Sequence, residues 1–310
     1  MSIRRYLPFL SLLACAALFA AQPSGGTGSA LNDENTLTIA RSRNVSPWPE
    51  PEAAAVETLT AEIREKLPGF FTKRIGPWIV ATDLSEDEAQ SFISSTIGKY
   101  AADIQRQLFT SSARREPVKV LLFKNKLSYE TWTTKLYRSR PDTPYGYYSR
   151  TQKALVMNIG TGGGTLLHEM VHAMAEPDFE SIPAWLNEGL GSLFEASSRN
   201  REGKVIGITN WRLSGLLAAL NKETAPKLKD LLIMSDEKFY GEHSGTNYAA
   251  SRYLMQYLQQ QSKLETFYTR IRDKKDRDAL ATLRFVFDNK LNVDEIETQY
   301  YAWVKTLKPQ

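Results

Sequence analysis

"GGGTLLHEMVHAM" runs from Gly162 to Met174. Leu166, Leu167, Met170, Val171 and Met174 recur at helical spacing, so the stretch predicts an apolar helix entered through a run of glycines. The whole chain has three histidines, and two of them, His168 and His172, stand here four apart. Residues four apart share one face of a helix, so the two imidazoles can serve one metal ion. Glu169 stands beside the first histidine and can reach a water on that ion. A zinc site that keeps a position open for water takes three protein ligands, so a third must come from elsewhere in the chain.

"IPAWLNEGLGSLFE" (Ile182–Glu195) offers it. Pro183 ends the first helix, and a second follows. Glu188, with fifteen residues between it and His172, sits among Leu186, Leu190, Leu193 and Phe194. A carboxylate in so apolar a helix is costly unless a cation or a hydrogen-bond donor meets it. Glu188 is therefore the candidate third ligand; the alternative is Glu169 with a further donor such as Glu176. The glycines of "MNIGTGGGT" are not a phosphate loop, because the Gly-Lys-Ser/Thr that such a loop requires is missing.

Working outward, "PWIVATD" (Pro77–Asp83) and "PVKVLLFKN" (Pro117–Asn125) predict strands. "PYGYYS" and "KALVMNIG" predict a pair of strands flanking a turn at Ser149–Gln152. "AAAVETLTAEIREKL", "LSEDEAQSFISSTIGKYAADIQRQLF", with Ser85 as N-cap, and "SYETWTTKLY" predict helices. After Gly164 the pattern is almost wholly helical, ending in "TNYAASRYLMQYLQQ", "KLETFYTRIRD", "RDALATLRFVFDN" and "VDEIETQYYAWVKTL". Strands first and helices later give an α+β class. The charged run "RIRDKKDRD" (Arg270–Asp278) is expected to be a solvated helix end and loop.

"HEMVH" followed by "WLNEGLGSLFE" resembles the gluzincin zinc metallopeptidases, most of all the bacterial proteins with a peptidase-MA-like domain. "WLNEG" is an element shared with the aminopeptidase-N group. The sharp likeness covers Gly146–Glu195, and a weaker one extends over Phe70–Leu307. The resemblance implies a gluzincin-like fold, an N-terminal mixed sheet with helices followed by a mainly helical half. It implies Zn2+ held by His168, His172 and Glu188, with Glu169 as general base toward a water that attacks a peptide bond. Tyr248, at the start of a helix, is the expected oxyanion donor, and His243 is expected to be a loop residue. The strand "ALVMNI" is expected to lie beside the metal helix as the edge to which substrate adds, with Tyr147 and Tyr148 lining the cleft or packing in the core.

Two departures refine the expectation. Between Pro144 and His168 there is no Asp or Glu, where aminopeptidases of the related group hold the substrate's free amine with an acid. Arg150 and Lys153 stand there instead, so an endopeptidase is favoured over an aminopeptidase. Ser192 occupies the position, one turn after Glu188, where some gluzincins orient the first histidine with an acid. That role is expected to pass to Glu195 or to a backbone carbonyl. The rivals to a peptidase are an exported zinc-containing module that binds peptide or protein, and a zinc hydrolase of a non-peptide amide.

The remaining chain bounds the setting. "MSIRRYLPFLSLLACAALFAA" joins Arg4 and Arg5 to an apolar run, the pattern of an export signal over residues 1–21. Residues 22–52, rich in Gly, Ser, Asn and Pro, are expected to be a tether whose Trp48 can dock onto the domain, ahead of one catalytic domain over 53–310. Cys15, the sole cysteine, lies in "LLAC", which resembles a lipobox. Lipidation there and simple cleavage after Ala16, Ala20 or Ala21 are alternatives. A periplasmic or cell-surface location follows, with membrane attachment only through such a lipid or an uncleaved signal. A net charge of +4 without a basic stripe or a known motif gives no reason to expect nucleic acid. The expected partner is a peptide or protein substrate.

Overall fold

The computed structural model describes residues 46–110, 115–273 and 278–309. The export signal, Cys15 and most of the tether lie outside the described residues. The described chain is a mixed α+β structure. Helix α1 (Ala53–Lys66) precedes strands β1 (Phe71–Ile75) and β2 (Trp78–Thr82). Helix α2 (Glu86–Ser95) runs through a π-helical turn (Thr96–Ala101) into α3 (Ala102–Gln107). Then come β3 (Val118–Phe123), α4 (Lys126–Tyr137), β4 (Gly146–Ser149) and β5 (Ala154–Asn158).

These five strands form one sheet in the order β1-β2-β3-β5-β4. The inner strands β2, β3 and β5 are parallel; β1 and β4 are antiparallel edges. The side chains of β2 and β5 are buried along their whole length, as parallel strands covered on both faces must be. Alternation sends Ile79, Ala81, Leu121, Phe123 and Val156 to a cluster under α1 and α4. It sends Val80, Val120, Leu122, Leu155 and Met157 to the main core.

The second half is built on α5 (Gly163–Asp178) and α6 (Ala184–Glu195). A two-stranded hairpin follows, β6 (Ser197–Arg199) and β7 (Val205–Gly207), the exception to the nearly all-helical pattern expected after Gly164. Next come α7 (Arg212–Asn221), two single turns, α8 (Leu228–Leu231) and α9 (Asp236–Phe239), and the long α10 (Ser244–Gln260). The chain closes with α11 (Leu264–Asp273), α12 (Ala279–Val286) and α13 (Val293–Thr306). Among the described residues no helix is long and apolar enough to cross a membrane.

Of two further stretches, one docks as expected and one departs from expectation. Trp48 is buried, edge-to-face on Trp78 with ring centroids 5.9 Å apart, so the packed chain reaches back to it. The charged run is not wholly solvated, since Arg272 turns inward and its Nη1 donates to the buried Asp178 at 2.9 Å.

Candidate metal centre

Helix α5 begins just after β5, across a short 3-10 turn at Ile159–Thr161. Gly162 caps it with φ +104°, a left-handed conformation that glycine adopts without strain. Gly164 meets the far end of α6: a Cβ there would lie 2.1 Å from the main-chain oxygen of Glu195. On the other side of α6, a Cβ on Gly189 would stand 3.1 Å from the Ser251 main-chain oxygen of α10. Small residues thus let α5, α6 and α10 close on one another, and the candidate ligands sit where α5 and α6 meet.

The structure brings His168, Glu169, His172 and Glu188 together. One ring nitrogen from each histidine and one carboxylate oxygen of Glu169 lie within 4.8 Å of one another. Glu188 Oε2 stands 3.1 Å from His168 Nε2 and 3.5 Å from His172 Nε2. Glu188 and His168 are buried, while His172 and Glu169 are half-buried.

Each of these side chains is oriented by a neighbour. His168 Nδ1 faces Glu195 Oε2 at 3.2 Å. Glu195 also accepts from Asn210 Nδ2 and from Arg212 Nε, at 2.8 and 2.9 Å. His172 Nδ1 donates to Asn187 Oδ1 at 2.9 Å. Tyr240 donates its hydroxyl proton to Glu188 Oε1 at 2.7 Å. The main-chain N–H of Tyr148 donates to Glu169 Oε2 at 2.9 Å. Glu195 was one of the two candidates to hold His168. Ser192 takes no part: among the described residues its buried hydroxyl has no hydrogen-bond partner. Asn187 stood beside Glu188 in the sequence, but Arg212 and Tyr240 carried no signal there; only the fold brings them back.

Burial and mutual charge set the protonation of the cluster. Burial pushes the Glu169 carboxyl up, partly offset by His172 and His168. Burial also opposes charge on Glu188, but the two histidines outweigh it and hold its carboxyl well below the usual range. Burial opposes Glu195 likewise, and Arg212 and His168 pull it below the usual range. For His168, burial favours the neutral ring, yet its hydrogen bonds to Glu188 and Glu195 raise it to about 10. Three carboxylates thus converge on two imidazoles and one guanidinium, and the protons held on the rings stand where a bound cation would put its charge. Two ring nitrogens and a buried carboxylate oxygen are a donor set that a divalent metal ion fits.

Other expected residues fall as follows. The edge strand beside α5 is β4, not "ALVMNI": β5 lies inside the sheet with β4 paired outside it. Asn158 N donates to Tyr145 O, so by antiparallel alternation Tyr148 turns its N–H away from β5, toward Glu169. Tyr148 packs on the main core, and its hydroxyl donates to Glu176. Glu176 is thereby engaged outside the ligand cluster. Tyr147 packs on the opposite sheet face, against the α1 and α4 cluster. Tyr248 packs on Phe239 and Tyr240, with centroids 5.2 and 6.2 Å away. Among the described residues its hydroxyl has no hydrogen-bond partner, and burial, with Glu188 nearby, pushes the phenol far up. His243 is exposed at the N-cap of α10. Lys153 pairs with Glu116, and Arg150 is exposed, both at the β4–β5 turn.

Residues 163–281 match the profile of a family described as a protein of unknown function, DUF1570. The matched segment starts with α5 and ends in α12, so it takes in both ligand-bearing helices, Arg212, Tyr240 and Tyr248. No curated protein matches the chain.

Proposed function

We propose that this chain is an exported zinc-dependent metallopeptidase of gluzincin type, cutting peptide bonds as an endopeptidase. The observation that carries this is the convergence of Glu188 Oε2 on the Nε2 atoms of His168 and His172, with Glu169 held beside them by the edge strand. His168, His172 and Glu188 would hold the zinc. Bound there, zinc would polarise a carbonyl and lower the pKa of a water. Glu169, fixed by the Tyr148 N–H and raised in pKa by burial, accepts a proton from the attacking water and passes it to the leaving amine. Tyr248, whose hydroxyl stays protonated, donates to the developing oxyanion. β4 is the last strand of the sheet, and an extended substrate would add along it, beside the Tyr148 N–H that meets Glu169. A metal site serving only structure has no use for a carboxylate poised as a base, and this favours catalysis over a binding module.

The test is mass-spectrometric cleavage of a diverse peptide set, with free and blocked ends, by the zinc-loaded chain and by Glu169→Gln. Wild-type cleavage of blocked peptides, reduced about 10²–10⁴-fold in the variant at unchanged zinc content, is the expected result. Cleavage confined to free-ended peptides would overturn the endopeptidase assignment. No cleavage by a chain carrying one zinc would overturn the peptidase assignment itself.

A further inference from the structure

We infer that Tyr240 is a positioning residue for the metal centre: it holds Glu188 Oε1 so that only Oε2 faces the two histidines. The inference rests on the metal assignment above and not on peptide hydrolysis. The two oxygens of Glu188 have separate partners. Oε2 lies 3.1 and 3.5 Å from the ring nitrogens of His168 and His172, while Oε1 accepts from the Tyr240 hydroxyl at 2.7 Å. A carboxylate free to turn can give a metal both oxygens. One held by a hydroxyl on its outer oxygen gives a single one, and leaves room for water and substrate.

The segment bearing Tyr240 is braced for this task. Asp236 Oδ1 accepts from the N–H of Ala184 at 3.1 Å, capping the first turn of α6. Tyr240, four residues on, binds Glu188, four residues on from Ala184. The two contacts therefore fix one full turn of α6 against the segment. Phe239 between them is fully buried, and its carbonyl accepts from Asn247 Nδ2 of α10 at 3.0 Å. The Tyr240 ring is held by packing on Phe239 and Tyr248, and its segment by the hydrogen bonds to α6 and α10. Tyr248 lies in the same aromatic cluster but has no hydrogen bond to a ligand. Of the two tyrosines, Tyr240 alone reaches Glu188.

The experiment compares wild type, Tyr240→Phe and Tyr248→Phe by zinc competition against a chromogenic chelator, and by the visible spectrum of the cobalt-substituted proteins. Tyr240→Phe is expected to weaken zinc about 10–100-fold. It is also expected to lower the cobalt d–d absorption as Glu188 turns to give both oxygens. Tyr248→Phe is expected to stay within about twofold of wild type in zinc affinity. Tyr240→Phe keeps the ring that packs on Phe239; should it fail to fold, Asp236→Ala removes the acceptor of the Ala184 N–H, loosens the same brace and must weaken zinc. Zinc affinity and cobalt spectrum unchanged in a folded Tyr240→Phe would overturn the inference, as would a wild type that binds no zinc. Zinc loss in Tyr240→Phe together with no peptide cleavage by wild type would uphold Tyr240 and sink the peptidase assignment.

Discussion

Gly191 governs how near α6 comes to the first histidine. A Cβ at this position would stand 2.9 Å from His168 Nε2 and 3.0 Å from Cδ2 and Cε1. The ring cannot retreat without leaving Glu188 or Glu195, which hold its two nitrogens. Alanine is the better helix former by about 1 kcal/mol, but overpacking costs roughly 1–3 kcal/mol. Gly191→Ala is therefore expected to stay helical by circular dichroism and to lose zinc affinity by about tenfold or more; zinc bound as tightly as in wild type would refute this. The ligands themselves were legible in the sequence because their chemistry is local. Two histidines one turn apart and a glutamate stranded in an apolar helix need no knowledge of the fold. Tyr240 and Arg212 were not legible. Neither breaks a local pattern, and each earns its role only by meeting a residue 52 or 17 positions away.

Helix α5 ends awkwardly, and α11 repairs it. Asp178, in the last turn, places a carboxylate at the negative end of the helix dipole. It is buried, and it accepts from Tyr268 and Arg272 of α11 at 2.8 and 2.9 Å. Asp178→Ala would leave Arg272, whose side chain is 8% exposed, without that partner. Removing one member of a buried pair costs roughly 3–5 kcal/mol. The exposed Asp273, 2.6 Å from Arg272 Nε, pulls the expectation to the lower end of that range. Urea denaturation should show such a loss for Asp178→Ala and under about 1 kcal/mol for Asp273→Ala; equal losses would mean that the inward pair does not lock the two helices. Legibility at this scale followed burial. Strands β2, β3 and β5 announced themselves as apolar runs, and the long helices by their spacing. Strand β1 was missed because "FTKRI" (Phe71–Ile75) carries Lys73 and Arg74 on an outer edge. The β6–β7 hairpin was missed because each strand has only three residues, too few to show an alternation. The edge was misplaced by one strand because β4 offers four residues to five in β5.

Across the whole molecule the metal centre joins the sheet half to the helical half. Tyr148 of β4 fixes Glu169, α5 and α6 supply the candidate ligands, and Glu195 and Arg212 carry the network on to α7. A bound cation should therefore stabilise the molecule as a unit, and protonation should compete with it. In the metal-free chain His168 is raised to about 10, above its unfolded value near 6.5. Its contribution to stability is then full below about pH 6.5 and disappears as pH rises through about 10. Zinc must displace that proton at pH 8. Calorimetric titration in buffers of different ionisation enthalpy should show about one proton or more released per zinc. Zinc at a hundred times its dissociation constant should add about 2.7 kcal/mol. For a fold of this size that raises the melting temperature by about 5–10 °C. At a fixed zinc concentration the gain should grow from pH 6 to pH 9, because the proton on His168, raised to about 10, competes less with zinc as pH rises toward that value. A zinc-induced shift that is absent, or that shrinks over this interval, would mean that the cluster carries its charge balance on protons alone and is not built around a metal ion.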